Sequence, residues 1–242
     1  MTTSNTYDFN PSLGELTLYA FNLAGVKNTA ILQEHMSSAK TAANLMLASW
    51  ANRGVNLWKV DLVTINLTSG TTTYPAGSDG NGNPDAADAN RTVMILDTYV
   101  STPQDGSTVD RIILPVSRTE YASYPQKNQE GFPTVYWFDR LISPTITIWP
   151  VPNTDTGPST MSFYRVIQVQ DANFTSGQQV DIPYRWLEAF ALGLAYRLAM
   201  IWNPQLIMQL KPLAEEAYNI AAQQDTEYVS MYISPQISGY FR

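Results

Sequence analysis

Cysteine is absent from this chain of 242 residues, and histidine occurs once, at His35. The first absence excludes disulfide frameworks, thiolate zinc sites, iron–sulfur clusters and cysteine nucleophiles; the second excludes any site built from several histidines. Charge is also scarce. Only 14% of residues are Asp, Glu, Lys or Arg, against roughly 25% in an average soluble domain, so part of the surface is expected to face another protein. Basic residues are the rarer kind, 14 against 21 acidic ones, for a formal net charge of -7. They are also dispersed. The closest pair, Arg53 and Lys59, lies six apart, which leaves no cluster to displace counterions from a nucleic-acid backbone. Long apolar runs are missing too: the most apolar stretch, Trp186 to Trp202, is interrupted by Glu188 and Arg197 and closed by Asn203-Pro204, too short and too charged to span a bilayer. The polar start of the chain lacks a signal peptide's basic and apolar parts. No membrane partner is expected.

What is present is 44% hydrophobic residues, enough for a core in one or two domains without staples. The pattern predicts an α+β fold with helical ends and a β-rich middle. Leu13, Leu16, Ala20, Leu23 and Ala24 share a helical face. A second helix, capped by Asn28 or Thr29, is expected to run through Leu32, Met36, Ala39, Ala43, Met46, Leu47 and Trp50 and stop at Gly54. Its apolar stripe needs a partner helix, and Trp186, Leu187, Phe190, Leu194, Leu198 and Ile201 supply one, opened by Pro183 and ended by Asn203-Pro204. A last helix from about Pro204 towards Val229 contains Pro212, where a kink is expected. From Leu57 to Asp181 period two and β-branched residues take over. Strands are predicted at Lys59–Leu67, Thr71–Tyr74, Val93–Val100, Arg111–Val116, Thr134–Asp139, Thr145–Trp149 and Met161–Gln168, with a helical turn opened by a Ser117/Glu120 capping box. The domain reading is 1–56 helical, 57–182 an inserted β-rich region, 183–232 helices completing a bundle, and 233–242 an extended arm.

Chemistry finds little to stand on. Pro75 to Asn90 reads as an exposed, mobile loop or hairpin tip. Within it Asp79, Asn81, Asn83 and Asp85 alternate as in a calcium loop, but Pro84 replaces the turn glycine and Asn90 the bidentate glutamate, so a plain loop is the favoured reading. His35 has Glu34 and Lys40 near it but no serine elbow, and reads as a helix-boundary residue. Gly77, Gly80 and Gly82 do not join a strand to a helix, so no phosphate loop is present. Glu215 and Glu216, adjacent on a helix, diverge by about 100° and cannot act as a glycosidase pair. Carboxylates on different strands, such as Asp110 and Asp139, could do so, and Trp58, Trp137 and Trp149 could form a sugar-binding face. A glycan-binding or carbohydrate-active component is therefore the alternative. No cofactor and no metal is expected.

The C-terminal tail is less ordinary. No charged side chain separates Glu227 from Arg242, while Met231, Tyr232, Ile233, Ile237, Tyr240 and Phe241 recur around Ser234-Pro235 and Ser238-Gly239. Such a segment either folds back onto its own domain or acts as an arm that anchors to another subunit.

The order of pieces in the middle carries a resemblance. LPVSRTEYASYPQKNQEGFPTVYWFDR at Leu114–Arg140, TITIWPVPN at Thr145–Asn153, FYRVIQ at Phe163–Gln168 and IPYRWLEAFALGLAYRLA at Ile182–Ala199 together resemble the head-to-tail adaptor (head completion, or packaged-DNA stabilisation) proteins of short-tailed bacteriophages. WANRG at Trp50–Gly54 extends the likeness loosely towards the N-terminus. The resemblance implies a structural virion protein without enzymatic activity at the head-tail junction. It implies a ring of twelve copies under the portal protein that receives the tail nozzle and keeps packaged double-stranded DNA from leaking. By position it implies that the tail is a portal-binding arm, with Ile233, Ile237, Tyr240, Phe241 and Arg242 in contact. Twelve chains at -7 each carry -84 formal charges, which would repel DNA in a lumen and let it slide.

Overall fold

The computed structural model describes residues 5, 9–54, 57–104, 107–153, 159–174 and 177–226. They form an α+β fold with two separate cores, one among helices and one between two sheets.

The helical core is built by α1 (Leu13–Leu23), α2 (Gln33–Ala51), α5 (Leu187–Trp202) and α6 (Ile207–Gln224), with α5 touching each of the other three. Ser12 and Glu15 start α1 with a complete capping box: the Ser12 amide donates to the Glu15 carboxylate at 2.8 Å and the Glu15 amide to the Ser12 hydroxyl at 3.3 Å. That box was not anticipated. The start of α2 also differs from expectation. Asn28 to Ala30 form a separate 3-10 turn, and α2 begins at Gln33 without a capping side chain at its N-cap Leu32. Instead His35 reaches back, its Nδ1 accepting the Leu32 amide at 3.1 Å while its ring stacks on Trp202 at 4.1 Å. The lone histidine is thus a cap and a packing residue. α6 continues through Pro212 to Gln224, although the proline leaves the Met208 carbonyl without its usual donor.

Alanine dominates where the helices meet: Ala20, Ala39, Ala43, Ala191, Ala195 and Ala199 are all buried. Small side chains let helix axes approach closely. At Gly193 the approach is tightest, since an added Cβ would lie 2.6 Å from Met46 Sδ. Trp50, Trp186 and Phe190 fill the wider end of the core. No described helix is long and apolar enough to cross a membrane.

The second core lies between two four-stranded sheets. One has the order β1 (Val60–Asn66), β8 (Thr160–Ile167), β3 (Thr92–Gln104), β4 (Ser107–Ile112), all antiparallel. The other has the order β2 (Thr73–Pro75), β7 (Thr145–Trp149), β6 (Val135–Asp139), β5 (Leu114–Pro115), antiparallel except for β5 beside β6. Alternation sends Val63 and Ile65, Ile146 and Ile148, and Met161 and Phe163 into one shared interior. The stretch predicted as a single strand at Arg111–Val116 is divided: its first residues end β4 in one sheet and Leu114–Pro115 cross to the other. The chain therefore switches sheets at Ile113, whose side chain is buried between them.

Pro75 to Asn90 has the exposed tip expected, with Asp79 to Asn81 and Asn83-Pro84 at the surface, but forms a lobe whose two ends are anchored. Ala76 and Ala89 are fully buried, Ser78 bridges Pro84, and α3 (Ala86–Ala89) packs so closely on Gly77 that a Cβ there would lie 2.3 Å from the Ala89 nitrogen. What holds it is remote in sequence. Arg165 of β8, 2% exposed, places Nη2 2.7 Å from the Asp88 carboxylate and 3.1 Å from that of Asp61. Its Nη1 donates to the Ala76 carbonyl and the Thr92 hydroxyl. A buried cation is tolerated only when so paired.

Candidate functional site

Residues that sequence reasoning singled out for chemistry turn out to be committed to structure. Asp79 accepts the Asn81 and Asn83 amides at 2.8 and 3.1 Å and the Asn83 side-chain amide at 2.8 Å. These bonds, the Asn83 side chain first, hold its carboxyl below the usual value. Asp85 caps α3 by accepting from Ala87 and Asp88. Two of the four positions of the calcium motif, Asp79 and Asp85, therefore turn their oxygens inwards to their own loop. Among the described residues no group of three or more His, Cys, Asp or Glu could hold a metal ion.

The paired-carboxylate candidates are apart in function. Glu215 is held by Arg53 through two hydrogen bonds of 3.1 Å, and Arg53 also lies 4.5 Å from the Tyr218 ring centre. Asp110 accepts from Ser101 in one sheet, while Asp139 closes β6 in the other. Of the three β-region tryptophans, Trp58 packs against the helical core near Trp186. Trp137 and Trp149 lie on the second sheet beneath α4 (Arg118–Ser123), where Tyr121 stacks on Trp137 at 5.6 Å and Tyr124 on Trp149 at 4.5 Å. The structure brings no flat tryptophan platform together. Lys127 completes the arrangement by donating to the Ala122 and Tyr124 carbonyls at the end of α4.

The quoted sequence pieces thus have packing roles. Ser117 caps α4 by accepting from Glu120, the S-R-x-x-Y turn lays two tyrosines on two tryptophans, and Gly131 donates to the Val151 carbonyl beside the cis Trp149-Pro150 bond. Arg185 of the R-W helix opening donates to Asp225 at 2.6 Å, and Asp225 also accepts the Leu57 amide, which ties the end of α6 to the start of the β region. Lys59 and Asp181 pair close by.

The surface contrasts with this internal closure. A groove of about 380 Å³ runs between α2 and α5, lined by Ser38, Thr41, Leu45, Arg197, Met200 and Ile201. A larger one of about 730 Å³ lies between α1, α5 and the preceding Phe9–Pro11, with Tyr19, Leu187 and the carboxylates Glu15 and Glu188 on its walls. Helix α6 exposes Met208 (84%), Leu213 (46%) and Ile220 (56%). Residues 233–242, which contain the expected contacts Ile233, Ile237, Tyr240, Phe241 and Arg242, lie outside the described residues.

Charges closed on one another inside and apolar faces left open outside are features of proteins that work through their surfaces. The comparison with family models makes the class specific. A model described as SU10 adaptor protein matches residues 25–237, and the chain belongs to that family of phage head-to-tail adaptors. The family is structural and places its members at the head-tail junction of the virion, in oligomers that meet portal and tail components. No curated protein matches the chain.

Proposed function

We propose that this chain is the head-to-tail adaptor of a short-tailed phage, assembling into a ring of twelve copies between the portal protein and the tail nozzle and retaining packaged DNA. In this reading 1–56 and 183–232 form a helical bundle that builds the ring. The β-rich region 57–182 projects from it as an insertion, and 233–242 is the arm that engages the portal. The observation that carries the reading is the apolar, weakly charged surface of the helical part in a chain matched by the adaptor family over residues 25–237. Such a surface is costly to leave in water and is the material of a closed heterologous ring. The net charge of -7 per chain favours passage of DNA over its capture.

The test is the mass of the particle that the full chain forms with portal protein. Twelve copies per portal ring are expected; a chain that stays monomeric beside portal would contradict the reading. Deleting residues 233–242 is expected to abolish portal binding without lowering the melting temperature, because the described cores close without them.

A further inference from the structure

Two of the open surfaces carry opposite charges without an ion-pair partner among the described residues. Arg197 is the one charged residue lining the α2/α5 groove. It makes no ion pair among the described residues. Burial disfavours its charged form; Tyr196 offsets part of that, and repulsion from Arg53 adds to it. Around it stand Leu45, Met200 and Ile201, all exposed. A half-buried cation in an apolar groove is best satisfied by an anion arriving with apolar neighbours.

The outer side of α6 has that composition. Leu210, Ala214 and Ala221 turn inwards, and Leu213, Glu216 and Ile220 recur at three- and four-residue spacing along the exposed side, with Met208 exposed near the start of the helix. Glu216 has no ion-pair partner among the described residues, whereas its neighbour Glu215 is taken by Arg53. Leu213 to Ile220 spans about 10 Å of helix and Ser37 to Leu45 about 12 Å, so the ridge covers most of the length of the groove. The larger groove is a poor alternative seat. Its charges are Glu15 and Glu188, which would face Glu216 with like sign.

We propose that neighbouring copies join head to tail by seating the α6 ridge of one copy in the α2/α5 groove of the next, with Glu216 paired to Arg197. This rests on the oligomeric reading above and names its self-interface. The recognition mode is a helix in an apolar groove. Each copy has one ridge and one groove, so contacts propagate until the ring closes.

Charge reversal on the full-length chain, assembled with portal protein, tests the pairing. Arg197→Glu and Glu216→Arg should each weaken copy-to-copy affinity by about tenfold or more, while melting like the wild type. An equal mixture of the two variants should recover the assembly, because alternating copies then present only opposite charges. Should either variant melt early, Arg197→Gln and Glu216→Gln remove the charge with less disturbance, and each should still weaken assembly. Two results overturn the proposal while leaving the adaptor reading intact: single variants that assemble like the wild type, or a mixture that stays as defective as its components. A wild-type chain that never assembles removes the adaptor reading, and this interface with it.

Discussion

The helical and β-rich parts of this protein bury their apolar residues in different ways. Between the sheets, large β-branched and aromatic side chains such as Ile65, Ile146, Ile148, Tyr136 and Phe163 fill a space set by sheet separation, with Ala76 and Ala89 the small exceptions. Among the helices, alanines and Gly193 bring backbones together, and the larger side chains divide between the core and the surface. Larger buried side chains such as Phe21, Met46, Trp186, Phe190 and Leu194 sit among those alanines and hold part of the apolar mass of the helices. The remainder, including Leu45, Met200, Ile201, Met208 and Ile220, stays outside. The helical part is thereby equipped to continue its packing into a neighbouring chain, and the β-rich part also leaves apolar side chains outside, Ile112 and Leu114 where the chain changes sheets and Leu141 and Ile142 in the turn between β6 and β7.

The comparison is broken most severely by shrinking the sandwich core. Phe163→Ala is expected to cost about 3–5 kcal/mol, read as a fall in the denaturant midpoint, because Phe163 is fully buried between the sheets. The helical core should show the opposite sensitivity. Ala195→Leu, at a fully buried helix contact, is expected to cost about 1–3 kcal/mol by overpacking. Equal tolerance of both cores to both kinds of change would remove the distinction.

A smaller effect sharpens it at the edge of α1. Ser12→Ala deletes an N-cap whose loss generally costs on the order of 1 kcal/mol, measured as a lowered melting temperature. Its pH dependence has a definite sign. The Ser12 backbone amide, with the hydroxyl second, holds the Glu15 carboxyl below its ordinary 4.5. The resulting stability is present above that ordinary value and lost as pH falls through the depressed folded value. The melting curves of wild type and variant should therefore converge in acid.

Much of this division was legible from residue order. Period-two runs such as Thr145–Trp149 and the stripe of Trp186, Phe190, Leu194 and Leu198 declare their elements because local periodicity and burial agree. What was not legible depends on partners far along the chain. Arg165 orders the Pro75–Asn90 lobe from about 80 residues away, and nothing in that polar segment announces it. The Trp137 and Trp149 faces are covered by tyrosines of a helix that only the fold lays across them. The cap at α2 escaped because the N-cap itself is Leu32 and His35, three residues on, stands where a capping box has Glu or Gln. On the surface, Arg197 and Glu216 were legible only as charges on their helices, Arg197 as an interruption of the apolar Trp186–Trp202 stretch and Glu216 as the neighbour of Glu215.

Copies that meet through the helical part, as proposed, bring Leu45 of one close to Ile220 of the next. The chain has no cysteine, so introduced thiols report contacts without background. In assemblies on portal protein, Leu45→Cys combined with Ile220→Cys, treated with a bis-maleimide linker, should give a ladder of covalent multimers, and neither single substitution should extend beyond dimers. A ladder from Ile112→Cys with Ile142→Cys in the β-rich part, and none from the helical pair, would contradict the proposed interface.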